Sequence, residues 1–199
     1  MKKIFLILIT LLPVLAYAAV GCDLNDPDRD VKRFFPDSTA YKTTYISIAE
    51  KGGDQLLRKI ENRLGDTFTG IYETSDVPFT IYTIYRNQAI IGYIHGVNQK
   101  GQYGGIQVFL AISPNGIINN FYYQRLTSRQ AAALKSPTFA KQFVGLSLTD
   151  FTGYKIGTDN TLIKNPAPES EKDYLATLRG VKKNLILLDE FVLNKTGGK

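Results

Sequence analysis

The sequence predicts an α+β domain: an antiparallel sheet of four to five strands, helices packed on it, and a long C-terminal helix as its main cover. Three observations lead there. Segments 79–85 and 89–96 are rich in β-branched and aromatic residues and are separated only by Arg86-Asn87-Gln88. Segments 106–112 and 117–124 repeat the arrangement across Ser113-Pro114-Asn115-Gly116, a strong turn because Pro presets its own φ and Asn-Gly tolerates positive φ. Connections this short join antiparallel neighbours. Finally, Tyr174, Leu178, Val181, Leu185, Leu188 and Val192 step by four and three along 171–193, one apolar stripe on a helix.

The chain opens with a segment outside this fold. Met1-Lys2-Lys3 is basic, and residues 4–15 are apolar apart from Thr10 and Pro13. That run falls short of the roughly 20 residues needed to span a bilayer. With the small residues behind it, it reads as a secretory signal covering 1–21. Two processing readings stand. Ala16-Tyr17-Ala18 is an A-x-A cleavage site that would release a soluble protein, whereas Ala19-Val20-Gly21-Cys22 resembles a lipobox. The lipobox is favoured because Cys22 is the only cysteine and stands where that processing needs a thiol. Lipidation at Cys22, with acyl chains of the palmitate type, would make the protein an anchored lipoprotein of a bacterial envelope. Asp23, directly after the cysteine, resembles the residue that keeps some bacterial lipoproteins in the inner membrane, which implies the periplasmic face of that membrane. Residues 22–43, polar and broken by Pro27, are expected to be a lipidated tether, with Phe34-Phe35-Pro36 as a docking point on the domain of 44–195.

Within the domain, Leu56, Leu57, Ile60 and Leu64 predict a packing helix over 53–64, broken by Gly65-Asp66. Ile106, Val108, Leu110 and Ile112 share one strand face by period two. Residues 128–135 and 137–143 predict short helices, the second with Pro137 in its first turn. Residues 152–168, rich in Gly, Thr, Asn and Pro, read as loop. Ser170 and Asp173 have capping-box spacing at the start of the last helix.

Most chemistry is excluded by inventory. His95 is the only histidine and Cys22 the only cysteine, so no His cluster or thiolate set can hold a metal. There is no Walker loop, G-x-G-x-x-G or G-x-S-x-G motif. The formal charge of +6 falls to +4 once Lys2 and Lys3 leave with the signal, and the charges are interspersed, unlike a nucleic-acid footprint. What remains is a glycine-marked block, Gly92-Tyr93 through Gly101-Gln102-Tyr103-Gly104-Gly105. Its glycines serve turns or admit a ligand to the backbone, and its tyrosines half-bury or stack a flat ring.

The layout Gly92-Tyr93, Gly101-x-Tyr103-Gly104-Gly105-Ile106-x-Val108, Ile112-x-Pro114-Asn115-Gly116-x-Ile118 and Phe139-x-x-Gln142-Phe143-x-Gly145 resembles the FMN-binding domain family. That family includes the periplasmic flavin subunits of Rnf and Na⁺-pumping quinone reductase complexes. The resemblance covers residues 79–193 and implies FMN as cofactor, an envelope redox partner and a role in electron transport. It places Tyr103, Gly104, Gly105, Thr127, Ser128 and Arg129 at the flavin, with Arg129 toward a phosphate. It also points to Thr177, since family members with covalent flavin attach it to the last residue of Asp-x-x-(Ser/Thr)-Gly-Ala-Thr. Here the matching stretch ends Leu175-Ala176-Thr177, and Leu126-Thr127-Ser128-Arg129-Gln130 replaces a Glu-Thr-Pro-Gly-like segment. These departures imply the alternative of a cofactor-free binding or assembly lipoprotein that keeps the fold.

Overall fold

The computed structural model describes residues 22–70 and 73–193; the predicted signal and both cleavage sites lie outside them. Five strands follow one another as an antiparallel meander: β1 (Ala40–Ile46), β2 (Phe79–Arg86), β3 (Ala89–Lys100), β4 (Gly105–Ile112) and β5 (Ile118–Leu126). The α+β architecture is the one expected. Register is set by period two. Ile106, Val108, Leu110 and Ile112 enter the main core, while Phe109 and Ala111 enter a second cluster on the opposite face.

Helix α1 (Pro27–Phe34) precedes the sheet, and α2 (Ile48–Leu64) lies between β1 and β2. Short helices α3 (Ala131–Leu134) and α4 (Pro137–Lys141) follow β5, and α5 (Glu171–Leu188) closes the fold, running into a π turn at Asp189–Leu193. The α5 stripe is buried from Tyr174 to Leu188 and packs across β3 and β4. Helix α2 begins five residues before the predicted start. Ser47 and Glu50 form a capping box, and Gly53 then takes φ 57, ψ −148, which kinks the helix where the sequence pattern had placed its beginning. The capping box predicted at Ser170 is absent: its hydroxyl makes no cap bond, and Asp173 Oδ1 instead accepts the Gln102 backbone N–H at 2.6 Å.

The tether predicted over 22–43 is corrected. This segment is an ordered strap on the second face of the sheet, and its end forms β1. Asp26 caps α1 by accepting the Arg29 N–H. Cys22, Leu24, Val31 and Phe35 are buried with Tyr82, Ile84, Ile94, Phe109 and Ala111. Four apolar side chains in a polar stretch suffice because the sheet supplies sockets. A Cβ on Gly92 would overlap the Phe35 ring, so this glycine is the space the ring fills. Polar clamps fix the ends: Tyr82 OH accepts the Leu24 N–H at 3.1 Å, and the Gln124 amide accepts from Asn25 N at 2.9 Å and donates to Asp23 O at 2.7 Å.

Candidate functional site

At the Lys100–Gly105 end of the sheet a cleft of about 720 Å³ opens between the loop after α2, the ends of β3 and β4, and α5. Its size falls in the usual range for small-molecule sites, roughly 300–1,000 Å³. Gly104 and Gly105 form part of its wall, with Asn98, Gln99 and Lys100 beside them. Gly104 has φ 155 and closes a tight turn in which Gly101 N donates to Gly104 O at 2.8 Å. A Cβ at Gly105 would meet nothing within 4 Å, so this backbone faces open space.

The opposite wall is electrostatic. Arg179 donates through Nε to Asp66 at 2.6 Å, through Nη1 to Glu73 at 2.7 Å and Gln99 at 2.9 Å, and through Nη2 to Thr67 O at 3.0 Å and Glu73 at 3.1 Å. A guanidinium has five N–H donors, and all five are engaged. Behind it, the buried Lys183 ammonium donates to the same Glu73 and to Asn98 O at 2.9 Å. Burial works to raise the Glu73 pKa, but the Arg179 and Lys183 charges outweigh it and hold the carboxyl at about 2. Burial brings the Lys183 ammonium down to about 8, against the pull of Glu73. Arg179 and Lys183 thus pin Asp66, Thr67 and Glu73 onto α5.

No family model matches this chain, and no curated protein does either.

The residues singled out from sequence are partly brought together. Gly104 and Gly105 line the cleft. Thr127 packs against Gly104, and its N–H donates to Gly105 O at 3.3 Å. Tyr103 and Arg129 form a neighbouring pair, the guanidinium 4.8 Å above the ring centroid. Ser128 does not reach the cleft; its hydroxyl accepts from Gln130 N at 3.3 Å. Thr177 is a correction. It is fully buried, its hydroxyl donating to Asp173 O at 2.7 Å and bonded to the Tyr123 hydroxyl at 2.7 Å. Such a threonine has no free oxygen for a phosphoester, and a phosphate there would sit in the core.

The sequence reading missed Asp66, Glu73, Asn98, Gln99 and Arg179. One signal was present: Arg179 and Lys183 lie four apart on α5, so they share a face next to the apolar stripe. Cys22 lies on the other face of the sheet, buried, with Sγ donating to Asn98 Oδ1 at 2.9 Å. Burial pushes its thiol up to about 12. Among the described residues no helix is long and apolar enough to cross a membrane.

His95 has a structural role. It is fully buried under α5, Nδ1 is 2.9 Å from Asn184 Oδ1, and Asn184 Nδ2 donates to His95 O at 2.8 Å. Burial lowers its pKa from 6.5 to about 4, against the Asn184 hydrogen bond. The unfolded chain therefore takes up this proton first, and stability falls as pH drops from 6.5 to 4. Glu73, depressed from 4.5 to about 2, gives stability that is present above 4.5 and lost as pH falls toward 2. Both act in the same direction. Melting temperature is expected to decline continuously below pH 6.5 in thermal unfolding followed at several pH values, and His95→Gln should flatten the portion between 6.5 and 4.

Proposed function

We propose that this chain is an extracytoplasmic lipoprotein of the FMN-binding-domain type that takes FMN reversibly, not covalently, and supports electron transfer at the periplasmic face of a bacterial membrane. The observation that carries this reading is the cleft walled by Gly104 and Gly105, where Thr127 packs against Gly104 but nothing stands within 4 Å of the Cβ position of Gly105. The fit is to the flat ring and to a rim phosphate. Lys100 and Arg129 are exposed cations without an acidic partner among the described residues and would hold the phosphate. Arg179, with all its donors engaged, would shape the wall instead of binding the anion. The flavin would supply the electron-carrying chemistry; the protein's part is position, hydrogen bonding and shielding from water.

The alternative, a cofactor-free binding or assembly module, is favoured by the burial of Thr177 and by the two carboxylates in the cleft wall. Titration of the purified protein with FMN separates the two. Saturable quenching of flavin fluorescence, with all the flavin released on denaturation, is the expected result. Lys100→Glu should weaken binding about tenfold, the scale of one charge-assisted contact. Thr177→Ala should leave FMN affinity unchanged and cost about 1 kcal/mol of stability through the lost Tyr123 hydrogen bond. A wild-type protein that ignores FMN would leave the assembly module standing.

A further inference from the structure

The strap has a consequence for how the domain meets the membrane. A free tether over 22–43 would let the domain roam, because an extended chain reaches roughly 3.3–3.6 Å per residue. The strap removes that reach. From Asp23 onward it is held by Gln124, Tyr82, Leu24, Val31 and Phe35, so a lipid on Cys22 would attach directly at the domain surface. Cys22 is itself packed in the second cluster with its sulfur on Asn98, so the residue has to turn out of that cluster for a lipid on it to leave the protein. This residue contacts β3 at Asn98, two positions from the strand end at Lys100, which is about 7 Å at strand rise. The anchor and the mouth of the cleft therefore lie at one end of the sheet, on its opposite faces, and Asn98 belongs to both.

That end also has the right charge. Lys100, Arg125 and Arg129 are exposed there, and among the described residues none makes an ion pair. Asp66 and Glu73 in the same region are engaged by Arg179, Asp173 is buried against the Gln102 N–H, and Asp23 beside the anchor and Glu169 beside Gln130 remain as counter-charges. Unpaired cations within a Debye length of a bilayer are drawn to anionic headgroups.

We propose that the Lys100–Gly105 end of the sheet is a bilayer-contact surface, resting on anionic phospholipid headgroups so that the cleft opens at the lipid–water boundary. The occupant is the lipid surface itself. Any molecule exchanging with the cleft then does so along the membrane. This rests on the lipid reading of Cys22, but it predicts an orientation that anchoring alone does not.

The test uses the full lipidated protein in phosphatidylcholine–phosphatidylglycerol vesicles containing headgroup nitroxide lipids. Lipidation consumes the Cys22 thiol, so an introduced cysteine is the only site for a fluorophore. Gln102→Cys marks the proposed contact end. Gln88→Cys marks the other end of β3, roughly 40 Å away along the strand. Quenching is expected to be several-fold stronger at position 102 than at 88, and Lys100→Glu/Arg125→Glu/Arg129→Glu should abolish the difference while the protein stays vesicle-bound. Equal quenching at both positions, or stronger quenching at 88, overturns the proposal. Failure of the lipid reading shows separately, as a Cys22 peptide of unmodified mass. In that case the unlipidated chain should still co-sediment with anionic vesicles and not with neutral ones, and absence of that preference also overturns the surface.

Discussion

Glu73→Ala is expected to cost about 3–5 kcal/mol, the scale for removing one partner of a buried ion pair and leaving the others unpaired. The carboxylate stands between Arg179 and Lys183, and Lys183 is almost wholly buried. Without Glu73 the ammonium keeps only the Asn98 carbonyl, and two N–H groups of Arg179 lose their acceptors. Urea unfolding measures the loss. The double variant Glu73→Ala/Lys183→Met should recover part of it, because the desolvated charge is then gone. A single-variant loss under 1 kcal/mol would mean that water reaches the network and the cleft wall is not fixed by it.

Phe35→Ala comes next. Deleting a buried phenylalanine costs about 3–5 kcal/mol in a core that cannot collapse. Here the strap can undock alone, so the global loss is limited by the strap's own docking free energy. The sharper readout is local: in chain with a free Cys22, amides of 24–35 should lose hydrogen-exchange protection and the thiol should become reactive to a maleimide, while the sheet stays protected. If Cys22 is equally reactive in both proteins, the strap does not hold the second face.

These two sites mark the boundary of what the sequence made legible. Strands β2 to β5 and α5 were readable because alternation and the four-three step are local records of burial. The strap was not. Its apolar residues are few, and their partners, Tyr82, Ile84, Ile94, Phe109 and Ala111, are contributed by three separate strands. Strand β1 went unseen for a related reason: as the strand preceded by the strap, it was read as a continuation of polar linker. The first turn of α2 was visible in Ser47-x-x-Glu50, but the Gly52-Gly53 pair hid it. At the cleft, the paired glycines were found because backbone room is written into residue type. The Arg179–Glu73–Lys183 set was not, since its members come from α5 and a loop some 110 residues earlier. The assignment of Thr177 to the flavin failed for a geometric reason: the residues before it continue a helix instead of forming a turn, so its hydroxyl points into the core.

The meander also sets an order of assembly. Each strand bonds to the next one along the chain, and from β2 to β5 the connections are short, so that part of the sheet can grow by short loop closures, whereas β1 and β2 have α2 between them. The strap is the exception: Asn25 bonds Gln124 across a separation of 99 residues. The hiding place for Cys22 is incomplete until the fifth strand is laid down, although Cys22 precedes all five. During that interval the thiol is in solvent. Burial of Cys22 is therefore timed by the completion of β5.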